Sequence, residues 1–195
     1  MTNLPVNAET LVSVAIGLGL SAACGFRVFL PLLAIGAAAR AGVLALSPGF
    51  TWMGTTPALV AFGTATVLEV LAYYVPWLDH LLDILATPAA VISGVAASAA
   101  VFVDLPPLVR WGVALIGGGT AAGLVQGATV VLRLKSSALT AGLGNPLLAT
   151  AELAGSAVIS ILAILLPVLC LFLLIAGMVA TFRLSGRILF GRRSG

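Results

Sequence analysis

Charge is what this sequence has least of. Among 195 residues there are nine Lys or Arg, six Asp or Glu and a single His. Charged residues make up 8% of the chain, against roughly a quarter in soluble domains. So apolar a chain does not stay in water as a monomer, which excludes a soluble enzyme, a disordered chain and a nucleic-acid binder. The formal excess of +3 adds nothing in favour of nucleic acid. With His80 as the one histidine, there is no HExxH and no Ser-His-Asp set. No acidic metal cluster of a lipid phosphotransferase is present either, so no catalytic residue, metal or cofactor is assigned. The two cysteines, Cys24 and Cys170, each lie in an apolar segment. They read as small buried hydrophobes rather than a disulfide framework. Ser21-Ala22-Ala23-Cys24 resembles a lipoprotein cleavage site, but a basic leader is missing, since Glu9 is the one charge in residues 1–10.

What the chain does have is long apolar runs. It is 61% hydrophobic, with a mean hydropathy of +1.22. Charge-free stretches cover 41–68, 84–103, 111–132 and 153–182, and 10–39 is interrupted by Arg27 alone. A helix needs about 20 residues to cross the roughly 30 Å hydrocarbon core. Stretches 84–103 and 111–132 each fit one crossing, after which Arg133 and Lys135 read as loop. Pro48 and Pro57 mark loop in 41–68, so a crossing is expected from about Pro57 to Pro76, through Glu69. Gly17, Gly19, Gly25 and Pro31 break segment 10–39. The segment from Asn145 to Phe182 is too long for one crossing and too apolar for an obvious turn, with Pro167 as the meeting point of two short helices. Asn7 or Thr10 is expected to cap the first helix.

The expectation is an all-α, polytopic transmembrane helical bundle of six helices, with five as the alternative. Broken or re-entrant helices are expected near Gly25–Pro31 and near Pro167. Residues 1–195 form a single integral membrane domain. Arg183, Arg187, Arg192 and Arg193 put four of nine cations in the last thirteen residues, a basic tail (184–195) of cytoplasmic type. Positive-inside counting does not separate five helices from six, because either arrangement places six cations inside and two outside. Self-similarity favours six. SVAIGLGLSAA at 13–23 aligns with GVALIGGGTAA at 112–122, and Glu69 and Glu152 each precede a glycine, Gly94 and Gly177, by 25 residues. Half-repeats 9–105 and 108–183 would then form an inverted 3+3 arrangement.

Charges inside apolar segments carry the functional expectation, since each costs about 2.5–3.5 kcal/mol at the helix centre. Arg27, Glu69 and Glu152 each need a partner, water or a neutral state. A guanidinium beside a broken helix suits a carboxylate or phosphate. Its alternative is an internal pair with Glu69 or Glu152. Glu69 lies one turn before Tyr73 on the same helix face, and an unpaired carboxyl at that depth could exchange a proton. Asp79, His80 and Asp83 form a polar knot after Trp77. Asp79 and Asp83 are a candidate cation site, against the plainer reading of a solvated interfacial turn. Trp52, Trp77 and Trp111 fit an interfacial aromatic belt. Gly119…Gly123 and Gly123…Gly127 are small-xxx-small pairs suited to close packing or homo-oligomer formation. Asn145-Pro146 reads as a turn opening a helix, whose free amides could hold an anion.

Three stretches carry a resemblance: GLGLSAACGFRVFLPLLA (17–34), LEVLAYYVPWLDHLLD (68–83) with TPAA (87–90), and LTAGLGNPLLATAE (139–152). The chain resembles a bacterial family of small multi-pass inner-membrane proteins known only as a domain of unknown function. The resemblance implies an inner-membrane protein with Arg27, Glu69, Asp79, Asp83, Asn145 and Glu152 in the shared pattern. It implies no activity. Tyr73-Tyr74 stands where a charged pair is expected. The functional expectation is transport of a small anionic solute or lipid headgroup, with Arg27, Tyr73 and Asn145 at the ligand and Glu69 or Glu152 coupling protons. The alternative is a non-transporting membrane scaffold whose charges lock helices together.

Overall fold

The computed structural model describes residues 7–74, 76–140 and 142–190, and their side chains except at 76–84, 178 and 180–190. The fold is a helical bundle with no strand among the described residues. Its helices are α1 (Ala8–Cys24), α2 (Phe29–Arg40), α3 (Thr56–Ala72), α4 (Pro76–Val101), α5 (Pro107–Val113), α6 (Gly119–Thr140), α7 (Asn145–Leu165) and α8 (Pro167–Phe190). A tight 3-10 segment, Pro48–Gly54, leads into α3 at a bend of 69°. A wide π-helical turn, Ala114–Gly118, joins α5 to α6 so that Pro107–Thr140 is one 34-residue rod.

Two helices are long and apolar enough to cross a membrane, Pro107–Thr140 and Asn145–Leu165. The bent pair Pro48–Gly54 and Thr56–Ala72 makes a third if it counts as one span. Ala8–Cys24, Phe29–Arg40, Leu85–Val101 and Pro167–Gly177 are shorter apolar helices.

Helix α1 forms the middle of the bundle, packed by α4, α6, α7 and α8. Its sequence explains why. Gly17, Gly19, Ser21, Ala22, Ala23 and Cys24 are all buried, and side chains this small let neighbouring backbones approach. The hydroxyls complete the contacts. Ser21 Oγ donates to the Gly94 carbonyl at 2.6 Å, Ser98 to that of Gly17 at 3.1 Å, and Ser156 to that of Ala23 at 3.1 Å. Each hydroxyl finds an acceptor without water, as an apolar surrounding demands. Asn7 caps α1, its side chain accepting from Thr10 N at 2.8 Å.

Several boundaries differ from the sequence expectation. The break expected near Gly25–Pro31 is present, but it lies ahead of Pro31 and not at it. The helix stops at Cys24, and α2 begins afresh at Phe29, with Pro31 in a first turn that needs no partner for its nitrogen. The chain after 132 is not loop, since α6 runs on to Thr140 and buries Arg133. The Asp79–Asp83 knot is not a turn either, because its backbone belongs to the opening turns of α4. The side chains of Asp79, His80 and Asp83 lie outside the described residues, as do residues 191–195 of the basic tail. Pro167 does open α8 directly after α7, where proline fits the first helical position. The first small-xxx-small pair packs within the chain: a Cβ at Gly119 would meet Val91 and Val95, and one at Gly123 would meet Val91.

Candidate functional site

The interruption between α1 and α2 builds the site. Gly25, Phe26, Arg27 and Val28 belong to neither helix, so the first amides of α2 have no acceptor within their own helix. Val28, at the N-cap position, supplies no side-chain cap. Glu69 does so from another helix. Its Oε1 accepts from Val28 N at 2.9 Å and its Oε2 from Phe29 N at 3.2 Å. A carboxylate at a helix N-terminus also meets the positive end of the helix dipole. Glu69 sits in the last turn of α3, and this cap ties α3 to the break. Glu69→Ala is expected to destabilise the protein by about 1–2 kcal/mol, the usual effect of losing a cap. Glu69→Gln, which keeps one accepting oxygen, should lose less. Thermal unfolding of both variants in detergent checks the order.

Arg27 reaches toward α7. Its Nη2 donates to the Ala149 carbonyl at 2.7 Å and lies 3.7 Å from Glu152 Oε2. The guanidinium is 1% exposed. Its Nε and Nη1 nevertheless have no hydrogen-bond partner, a costly condition for buried donors.

The tightest ion pair involves a residue that hydropathy had placed in a loop. Arg133 grips Glu152 with two prongs, Nε to Oε1 at 3.0 Å and Nη2 to Oε2. This fork is the strong form of a carboxylate–guanidinium pair. Tyr73 packs against both cations, with its ring centroid 4.0 Å from Arg27 Cζ and 4.3 Å from Arg133 Cζ. The π face attracts each guanidinium and partly offsets their mutual repulsion. Four segments therefore meet in one buried polar cluster: the α1–α2 break, the end of α3, the middle of α6 and the start of α7.

Of the residues singled out from sequence, Arg27, Tyr73 and Glu152 are in contact, with Glu69 one hydrogen-bonded step away along the backbone of residues 28–29. Asn145 lies two turns before Glu152, where its amide donates to Ser137 Oγ at 3.1 Å. The turn before it offers fewer amides than expected. Gly144 N already donates to Thr140 Oγ1 and Asn145 N to the Gly142 carbonyl. Arg133 was missed, yet a signal for it exists. Gln126, Thr129 and Arg133 recur at helical spacing and are all buried. On α7 so do Asn145, Ala149, Glu152, Ser156 and Ser160. The two stripes meet where Arg133 reaches Glu152 and Ser137 reaches Asn145.

A cavity of about 460 Å³ adjoins the cluster between α2, α3 and α4. Val28, Phe29, Leu68 and Leu85 form much of its apolar lining, and Glu69 and Tyr73 are its polar members. Arg27 does not line it. The Tyr73 ring, which does, lies against the Arg27 guanidinium.

These features define an all-helical membrane protein organised around a buried Arg–Glu–Tyr cluster at a helix break. Its sequence matches the family model described as "Domain of unknown function (DUF4126)" over residues 14–187. The chain belongs to that family. No curated protein and no solved structure matches it.

Proposed function

We propose that this protein is a multi-pass translocase of the bacterial inner membrane for a small anionic solute or a lipid headgroup. One observation carries the proposal. Arg27 is a fully buried cation at an interrupted helix, with two of its three nitrogens unpartnered among the described residues. A structural lock would satisfy those donors. A binding group keeps them for an anion that is present during part of the cycle. Interrupted helices at mid-membrane are where transporters hold substrate and coupling ions. Glu152 is committed to Arg133, so Glu69 is the better coupling group. As a carboxylate it holds two amides of α2, and on taking a proton it has less accepting capacity for them. Proton uptake would thereby loosen the hinge beside Arg27. The cytoplasmic side of the tail and the inner-membrane location rest on its four arginines.

The test is flux in proteoliposomes. Wild type is expected to move an anionic solute or labelled lipid together with protons. Arg27→Met should lose substrate movement, and Glu69→Gln should keep exchange while losing the proton coupling. Retained thermal unfolding cooperativity confirms that each variant is folded. The scaffold reading has its own support in the buried fork between Arg133 and Glu152. A folded wild type that moves neither protons nor solute nor lipid decides for it.

A further inference from the structure

The cavity beside the cluster has features that a site for a free inorganic anion would not need. Its volume of 460 Å³ falls in the range of roughly 300–1,000 Å³ usual for small-molecule sites. Leu68 and Leu85, at its rim, are 61% and 56% exposed, on surfaces that face lipid in a membrane-embedded bundle. The opening therefore lies on the bilayer side, through apolar walls that a hydrated ion would not enter. The polar groups at its inner end are also of both signs. Glu69 lines the cavity directly, and Arg27 lies behind the Tyr73 ring. A purely anionic headgroup would meet the carboxylate before the guanidinium. A headgroup carrying both charges would meet a partner for each.

We propose that the cavity between α2, α3 and α4 takes a phospholipid whose headgroup joins a primary ammonium to a phosphate. This rests on the anion-binding reading of Arg27 given above and narrows it. The acyl chains lie along Leu68 and Leu85. The ammonium donates to Glu69, whose two oxygens each accept one backbone amide and retain further lone pairs. The phosphate accepts from Arg27 Nε and Nη1, the two donors without partners. Tyr73 is the partition between the two halves of the headgroup site and must swing aside for the phosphate to reach Arg27. A primary ammonium matters because only N–H donors can hydrogen-bond the carboxylate. A quaternary ammonium of the same charge has none.

Full-length protein in detergent, titrated with single lipids and read by native mass spectrometry and thermal shift, tests this. Phosphatidylethanolamine is expected to bind at least tenfold more tightly than phosphatidylcholine or phosphatidylglycerol. Glu69→Gln should erase the preference over phosphatidylcholine. Ala72→Phe, which fills the cavity from its wall, should weaken all lipids while leaving the cluster in place. Equal affinity for the three lipids overturns the proposal, as does tighter binding of phosphatidylglycerol. Free phosphoethanolamine binding as well as the lipid would overturn the membrane source of the ligand. Solute uptake by proteoliposomes made without amine lipids is a separate readout. If it persists while the lipid preference is absent, the amine-lipid assignment fails and the translocase reading stands.

Discussion

Arg133→Met is expected to lower the unfolding free energy by about 3–5 kcal/mol, the largest loss from any single substitution in the cluster. Removing one member of a buried ion pair leaves the other charge without compensation, and that is the scale of the penalty. Among the described residues Glu152 would keep Arg27, whose nearest nitrogen is 3.7 Å away, too long for a hydrogen bond. The double variant Arg133→Met with Glu152→Gln should recover part of the loss, because Glu152 no longer carries an uncompensated charge, and the recovery is incomplete because Arg27 then loses the carboxylate 3.7 Å away. Arg27→Met should cost less than Arg133→Met, since Arg27 makes one hydrogen bond to a backbone carbonyl where Arg133 makes two to the carboxylate. Chemical or thermal unfolding of wild type, Arg133→Met, Glu152→Gln and the double variant in one detergent gives the coupling energy. A coupling near zero between Arg133 and Glu152 would show that the fork contributes nothing to stability.

Gly94→Ile is expected to be at or above the upper end of the roughly 1–3 kcal/mol typical of overpacking. A Cβ on Gly94 would lie 2.5 Å from the Ala122 Cβ and 2.9 Å from the Gly118 carbonyl oxygen. Neither obstacle is a flexible side chain that could turn away. Gly94 also accepts the Ser21 hydroxyl, so separating α4 from α6 would stretch that bond to α1. Gly127→Ile, on the Pro107–Thr140 rod that Gly94 packs against but with open space around its Cβ, is the control and should change stability by less than about 0.5 kcal/mol. If both variants unfold alike, the crossing of α4 and α6 at Gly94 is not the close contact described.

Much of the helical layout was legible because its causes are local. The break after Cys24 follows from Gly25 and the nearby Pro31, and the start of α8 from Pro167. Arg27, Glu69 and Glu152 stood out because charge is rare in this chain and costly at membrane depth. Their partners were not legible. The sequence reading leaves Glu69 either paired with Arg27 or unpaired, yet its carboxylate goes to two backbone amides, and nothing in a side-chain inventory marks which amides a distant break leaves free. Arg133 was read as loop because it ends a charge-free stretch, 111–132, that already suffices for a crossing. Hydropathy counts residues along the chain, whereas Arg133 is held inside its helix by Glu152 nineteen residues on.

By itself, then, the sequence determined a membrane-embedded all-helical protein, the residues at which its helices break, and the scarce charges that needed an explanation. These follow from composition and from short-range backbone geometry, which act at each position whatever the rest of the chain does. Only the tertiary structure decided which charges meet. It set Arg133 rather than Arg27 as the fork on Glu152, made Glu69 the cap of α2, laid Tyr73 against both guanidiniums, and left two donors of Arg27 unpartnered beside an apolar cavity. The physical reason is range. Glycine and proline weaken a helix at their own positions, but a buried charge is stable only beside its partner, and which segment brings the partner depends on how the whole bundle packs.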